Sequence, residues 1–295
     1  MALHEPVLVA EVLRFLAPER GGDFVDCTIG AGGHAGALLA AGAGRVVGLD
    51  RDPAALDVAR ASLADWADRM TLVHADFRTL PAVLDTLGLD RVDGVLADLG
   101  VSSLQLDDGD RGFSFRTDAL LDMRMDPTEG PTAADLLRDV PEATLADVIF
   151  RFGEERYSRR IARALVAERQ RRPLRTTAQV ASVVRRVVPR GRQRIDPATR
   201  TFQALRIWVN AELDGLDTFL AAAIGRLRQG ARLVVITFHS LEDRIVKHTL
   251  RSLQQAGETA LTVLTRRPVR PGAEEVARNP RARSAKLRAA ERLDA

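Results

Sequence analysis

Residues 24–34 read FVDCTIGAGGH, and residues 45–50 read RVVGLD. The first stretch opens as a β-rich run, Phe24–Thr28, and passes through Gly30, Ala31, Gly32 and Gly33 into a helical pattern from about His34 to Ala41. Glycines at such a turn let the backbone bend sharply and approach a ligand, because a Cβ would collide with it. The second stretch is a strand that ends in Asp50, about 20 residues on, where an acid is placed to take a ribose diol. A glycine turn followed by a strand-end acid marks a sheet that binds a nucleotide-like cofactor, without saying which.

Outward from this pair the alternation continues. Pro53–Ala67 reads as a helix with proline in its first turn, Met70–His74 as a strand, Thr79–Leu87 as a helix and Val92–Asp98 (VDGVLAD) as a fourth strand. Strands and helices at this spacing argue for a parallel sheet with helices on both faces. From about Gln105 to Thr199 the strand pattern disappears. Helical stretches take its place, Ala143–Phe150, Ser158–Arg171 and Thr177–Val188, broken by Gly and Pro. The rhythm then resumes with helices over Thr201–Leu213 and Leu216–Leu227, a buried strand Arg232–Phe238 (RLVVITF) and a last strand Leu261–Thr265. Arg278–Ala295 reads as a polar, mobile tail. The expected architecture is α/β: a Rossmann-like sheet from residues 1–104 and 200–295, with an all-helical domain, residues 105–199, inserted after its fourth strand.

Three details favour S-adenosylmethionine over a dinucleotide. The loop is not a clean G-x-G-x-x-G, the pattern that seats a pyrophosphate on a helix N-terminus. Asp76 and Phe77 follow the third strand, where an acid and an aromatic can recognise and cover an adenine. Asp98 ends the fourth strand, over the sheet edge where substrates meet cofactors.

Charge is distributed unevenly. Residues 1–110 hold 8 Arg and no Lys against 18 acids, whereas residues 151–206 hold 16 Arg and no Lys against 4 acids. The second block has the footprint of a surface that neutralises phosphates. Arg156, Arg159, Arg160 and Arg163 fall within about two turns of one helix beside Tyr157, and Arg185, Arg186, Arg190, Arg192 and Arg194 form a second cluster. Arginine pairs with phosphate and stacks on bases, which suits folded RNA. Aromatic residues make up only 4% of the chain, so a broad base-stacking platform is not expected. Arg281, Arg283, Lys286 and Arg288 would add a flexible contact from the tail.

Other classes are disfavoured. Cys27 is the only cysteine, which excludes an intrachain disulfide and a cysteine-based zinc cluster and fits a reducing cytoplasm. No histidine pair has H-E-x-x-H spacing, so no metal site is expected. No apolar run approaches the ~18–20 residues of a membrane span, and the acidic N-terminus is unlike a signal peptide.

The motifs HEPVLVAEVL (4–13), DCTIGAGGH (26–34), GLDRDP (48–53), ADLGVSSLQLD (97–107), RGFSFR (111–116), LDMRMD (121–126), FGEERYSRRIARAL (152–165), TRTFQALRIWVN (199–210), ITFHSLEDRIVK (236–247) and NPRARSAKLR (279–288) together resemble the MraW (RsmH) family of bacterial 16S rRNA cytosine-N4 methyltransferases. The resemblance runs in order along essentially the whole chain. It implies a class I methyltransferase sheet with a helical insertion that helps recognise RNA. It implies S-adenosylmethionine bound by Gly32, Gly33, His34, Asp50, Phe77, Asp98 and Gln105. The acceptor it implies is the N4 amine of a cytidine in the decoding region of 16S rRNA, cytosine 1402, presented as 16S rRNA or the 30S subunit. It also implies a cytoplasmic enzyme, with no membrane partner and with a homodimer allowed.

Candidate catalytic residues are Asp98, Ser102 and His239. A cytosine amine delocalises its lone pair into the ring, and an acceptor holding the amine hydrogens would restore it. Asp98 and the carbonyls of Leu99–Ser102 are placed for this, although Asp98-Leu99-Gly100-Val101 stands where many amino-methyltransferases carry Asn/Asp-Pro-Pro-aromatic. Asp98 is equally suited to the cofactor's amino group, and both roles stay open. The turn Phe238–Asp243 (FHSLED) either lines the cytosine pocket or forms a capping box from Ser240 and Asp243. Other readings are a methyltransferase of another RNA, of DNA or of a small amine, and a non-catalytic ribosome assembly factor. The intact glycine loop, Asp50 and Asp98 count against the last.

Neutralising Arg185, Arg186 and Arg190 together is expected to weaken RNA binding and flatten its salt dependence while leaving cofactor affinity unchanged. An unaltered salt slope would remove this cluster from the RNA surface.

Overall fold

The computed structural model describes residues 5–189, 196–257 and 260–293. In chain order its elements are α1 (Val9–Leu16), β1 (Asp23–Asp26), α2 (Gly33–Ala40), β2 (Arg45–Asp50), α3 (Pro53–Ser62), β3 (Met70–His74), α4 (Leu80–Thr86) and β4 (Val92–Asp98). Six helices follow: α5 (Ser103–Asp107), α6 (Ala133–Asp139), α7 (Glu142–Gly153), α8 (Ser158–Arg171), α9 (Thr177–Val187) and α10 (Ala198–Asn210). The chain then returns through α11 (Leu216–Gly225), β5 (Leu227–Thr237), α12 (Ser240–Ala256), β6 (Leu261–Val263), α13 (Ala273–Arg278) and β7 (Lys286–Arg292). Two compact units result, residues 1–100 with 213–295, and residues 101–212. No helix among the described residues is long and apolar enough to cross a membrane.

The first unit is a seven-stranded sheet in the order β3-β2-β1-β4-β5-β7-β6. β1 to β5 pair in parallel, and β7 runs antiparallel between β5 and β6. The strands are apolar on both faces, as a sheet covered twice requires. Val25, Val47, Val95 and Val235 pack under α4, α11 and α12 against Leu80, Leu84, Phe219, Val246 and Leu250. Their neighbours Phe24, Val46, Leu96 and Val234 point the other way, against Val12, Leu16, Leu38, Leu39 and Leu56 of α1, α2 and α3. This is the Rossmann-like α/β sheet expected from the alternation. Chain direction across the sheet reverses between β1 and β4, so the crevice for a ligand opens at the carboxyl ends of those two strands.

The tail differs from expectation. Residues 286–292 are a strand, with Leu287, Arg288, Ala289 and Ala290 buried and Lys286 in register with Thr237. Arg288 donates through Nε to Asp243 Oδ1 at 2.7 Å and Lys286 Nζ to Oδ2 at 3.3 Å, which holds the Asp243 carboxyl below its usual range against the cost of burial. Lys286 and Arg288 are therefore structural cations and not flexible RNA contacts.

The second unit has its own core, centred on Leu137, Leu145, Ile149, Ile161, Leu165, Val180, Val184, Phe202 and Leu205. Its boundary lies at residue 212, beyond the expected 199, because α10 packs on α7. The two helices close to backbone contact at Gly153, where a Cβ would lie 2.5 Å from the Arg200 carbonyl oxygen. Asn210 extends the same packing, accepting from Met125 N at 2.7 Å and donating to Met123 O at 2.7 Å.

Gly153→Ala is expected to destabilise the protein by about 1–3 kcal/mol, since backbone and not a flexible side chain must move. Urea denaturation of the variant checks this, and an unchanged midpoint would argue against the close helix approach.

Candidate active site

The glycine loop is laced to both neighbouring strands. Cys27 N–H donates to Leu96 O of β4 and Ile29 N–H to Leu49 O of β2, each at 2.8 Å. Gly30 N–H donates to Asp50 Oδ2 at 2.9 Å, and Asp52 N–H to Asp50 Oδ1 at 2.9 Å. Asp50 thus ties the loop to the end of β2. Burial lifts its pKa from 3.8 to about 6, against those two hydrogen bonds, which lower it. Gly30 and Gly32 have φ of 52° and 88°, a region that disfavours side chains. A Cβ on Gly32 would lie 2.7 Å from Leu63 and one on Gly33 2.9 Å from Pro6. Packing within the unit therefore adds to the sharp backbone bend as a reason for glycine at these two positions.

The densest charge lies where β1 and β4 end. Asp98 N–H donates to Thr28 Oγ1 at 2.6 Å, and Thr28 N–H to Asp26 Oδ1 at 3.2 Å. Asp26 Oδ2 and Asp98 Oδ1 are buried and have no hydrogen-bond partner among the described residues. Burial raises Asp26 from 3.8 to about 7, opposed by its Thr28 bonds and reinforced by Asp50. Burial pushes Asp98 well above the carboxylate range, with Asp26 and Glu242 adding to it. His34, in the first turn of α2, has Nε2 2.8 Å from the Val7 carbonyl oxygen and Nδ1 3.7 Å from Asp98 Oδ2. A carbonyl only accepts, so Nε2 carries a proton and the other nitrogen faces Asp98. Sequence reasoning had not assigned a role to Asp26 or Thr28. Their signal was present in Asp26-Cys27-Thr28, an acid at a strand end directly before the glycine turn.

Asp76 and Phe77 are adjacent, as anticipated, but their roles divide. The Asp76 carboxylate takes Arg78 Nε and Nη2 at 2.7 Å each and the Arg78 N–H at 2.9 Å, with Arg51 Nη1 3.7 Å away. Those arginine contacts outweigh burial and lower its pKa, so Asp76 caps a turn with both oxygens bonded to Arg78. The Phe77 ring packs edge-on against Phe219, centroids 4.8 Å apart.

His239 caps α12. Its Nδ1 accepts from Glu242 N–H at 3.4 Å, while Glu242 Oε2 accepts from Phe238 N–H at 2.8 Å and His239 N–H at 3.2 Å. A capping box is present in the FHSLED turn, one residue earlier than expected, because Asp243 is occupied by β7.

Ser102 and Gln105 lie in the helical unit and cap α5 reciprocally: Gln105 N–H donates to Ser102 Oγ at 3.2 Å, and Ser102 N–H to Gln105 Oε1 at 3.0 Å. In the same unit Arg159 and Arg160 are exposed on α8 with no acidic partner among the described residues. Arg156 stacks 4.6 Å from the Tyr157 ring centroid. Arg185 pairs with Asp196 at 2.8 Å and Arg186 with Glu168 at 2.9 Å. Arg190, Arg192 and Arg194 lie outside the described residues.

The strand ends suit a cationic, nucleoside-bearing ligand. Two buried carboxyl oxygens lack donors, which a positively charged sulfonium or ammonium would offset. Each Asp50 oxygen keeps a further lone pair for a hydroxyl, and α2 begins where a carboxylate is favoured by free N–H groups.

Residues 1–293 match the family model described as the MraW methylase family. Two curated proteins named "Ribosomal RNA small subunit methyltransferase H" are similar: one from Azorhizobium caulinodans, 52% identical over all of this chain and 88% of its own, and one from Geobacter sulfurreducens, 52% identical over 98% of this chain and 99% of its own. Among solved structures, an rRNA methylase from Streptococcus thermophilus aligns over 100% of both chains with 13% identity and a TM-score of 0.45.

The raised carboxyls give a pH signature. In the unfolded chain Asp26 releases its proton near 3.8, and in the folded chain near 7. Between these values the folded state binds more protons, so stability falls as pH rises through that window. Ligand-free protein is expected to lose stability between about pH 4 and pH 7, and Asp26→Asn to flatten that loss and gain on the order of 2 kcal/mol at about pH 8. Urea midpoints across pH test this; a variant with the parent profile would acquit Asp26.

Proposed function

The chain belongs to the MraW methylase family, and on that premise we propose that it transfers a methyl group from S-adenosylmethionine to the N4 amine of a cytidine in the decoding region of 16S rRNA. The observation that carries the reading is the pair of buried, partnerless carboxyl oxygens on Asp26 and Asp98 at the point where the sheet changes direction. An rRNA substrate would place the enzyme in the cytoplasm.

S-adenosylmethionine, when bound, supplies an already electrophilic methyl group, so the protein's task is alignment, worth about 7–11 kcal/mol in favourable cases. Asp50 takes the ribose hydroxyls, Phe77 packs beside the adenine, and the start of α2 with His34 receives the methionine end. Asp98 serves as hydrogen-bond acceptor. Holding an amine hydrogen there turns the N4 lone pair outward; as the N–C bond forms, the methyl–sulfur bond breaks with its electron pair left on sulfur, and the held N4 proton passes to the Asp98 carboxylate and from there to water. We assign this role to Asp98 over Ser102 and His239, whose side chains serve the first turns of α5 and α12. Gln105 is tied to the same α5 cap, so its part in cofactor binding is the least supported of the set. On the helical unit, Arg156, Arg159 and Arg160 offer phosphate contacts, and Arg185 and Arg186 offer braced ones.

Tritiated methyl transfer to 30S subunits from a strain lacking this activity, followed by nucleoside mass spectrometry, tests the reaction. Label on N4-methylcytidine is expected; label on another nucleoside, or none on 30S subunits or free 16S rRNA, overturns it. Asp50→Ala is expected to weaken S-adenosylmethionine binding at least tenfold by calorimetry, and unchanged affinity would refute the ribose assignment.

A further inference from the structure

The acidic first third of the chain conceals a second cationic block within the sheet unit. Residues 244–288 hold 11 Lys or Arg against 3 acids. Three of these cations are spent internally: Lys286 and Arg288 on Asp243, and Arg278 on Glu5. Others are not. Lys247, Arg251, Arg266, Arg267 and Arg270 are exposed, and their side chains make no ion pair or hydrogen bond among the described residues.

The fold gathers these five on one border of the sheet. β6 is the edge strand, and the chain continues past it along β7: Leu264 N–H donates to Ala289 O at 2.9 Å, and Val269 exchanges hydrogen bonds of 3.0 and 2.9 Å with Leu287. Arg266 and Arg267 lie between those anchor points, and Arg270 one residue beyond. Lys286, next to Leu287, is in register with Thr237 at the carboxyl end of β5. Arg270 is thus level with the end of the sheet that carries Asp26, Asp50 and Asp98. α12 runs along the same border. Asp243 reaches β7 near its start, and Gln254 Oε1 accepts from Val263 N–H of β6 at 2.8 Å near its end. At ~100° per residue these two fall on nearly one line, with Lys247 about 40° and Arg251 about 80° around the axis from Asp243.

We propose that this border, formed by Arg266, Arg267 and Arg270 beyond β6 and by Lys247 and Arg251 of α12, binds the phosphate backbone of the RNA substrate, independently of the helical unit. The inference rests on the proposed RNA reaction and extends it. Guanidinium groups unpaired within the protein and gathered on one border suit a run of phosphates in charge, and their engagement releases counterions.

The test compares the wild-type protein with two variants, Arg266→Gln/Arg267→Gln/Arg270→Gln and Lys247→Gln/Arg251→Gln, using a 16S rRNA transcript as probe. Anisotropy titrations across salt are expected to show the triple variant losing about 2–3 from the slope of log K against log salt, at ~0.7–0.9 per phosphate contact. The double variant should lose one to two on the same scale. KM for 30S subunits should rise at least tenfold in the triple variant, with kcat at saturating RNA and S-adenosylmethionine affinity unchanged. Wild-type slopes in both variants overturn the proposal. So does greater self-association with an unchanged slope, the mark of cations that only guard an open strand edge. Wild-type protein that binds the transcript through these residues yet methylates no RNA would instead refute the proposed reaction and leave this surface standing.

Discussion

Carboxyl groups buried at the ends of adjoining parallel strands are the constraint around which the sheet unit is organised. Removing a carboxylate from water is costly unless donors or cations replace the water. Asp50 is met by two backbone N–H groups, and the act of meeting it sets the glycine loop. Asp26 and Asp98 are met only in part, through Thr28 and His34, and each keeps one oxygen without a donor. Carboxyl groups held in this way resist ionising while the site is empty, and a positively charged guest is what favours their charged form. Affinity for the guest and strain in its absence then have one origin.

Arginine serves two purposes in this chain, and composition alone does not separate them. Arg78, Arg185, Arg186, Arg206 and Arg288 are locked onto carboxylates, where they orient turns and join elements. Arg159, Arg160, Arg266 and Arg267 end in solvent. The second kind offers an outside anion its whole guanidinium, and the first only the donors that its carboxylate leaves over.

Much of the fold was legible because β1 to β4 and the core of β5 are short β-rich runs, each closed by a helix start or a turn. What escaped was decided by contacts distant in sequence. Residues 286–292, KLRAAER, look like a soluble tail because the apolar positions are mostly alanine and the cations dominate. Their strand character comes from a gap between β5 and β6 that small side chains fill, and from Asp243, which neutralises Lys286 and Arg288. Once Asp243 is taken, the cap of α12 shifts to His239 and Glu242. The start of α10 was missed by three residues because Pro197 and Thr199 read as loop, while Gly153 admits the helix end only in three dimensions. At the candidate site, Asp50 and Asp98 stand out in the sequence as strand-end acids and Phe77 as the aromatic that follows β3. The Asp76–Arg78 pairing does not, since the arginine two residues on looks like part of the following helix.

The place of β7 also bears on how the protein is made. It lies between β5 and β6 although it is translated after both. During vectorial synthesis the flank of β5 therefore stays open until residue 292 has left the ribosome, and β6 has no strand to join before then. Until β7 docks, the parallel part of the sheet ends in an unpaired flank, the kind of edge that another chain can join.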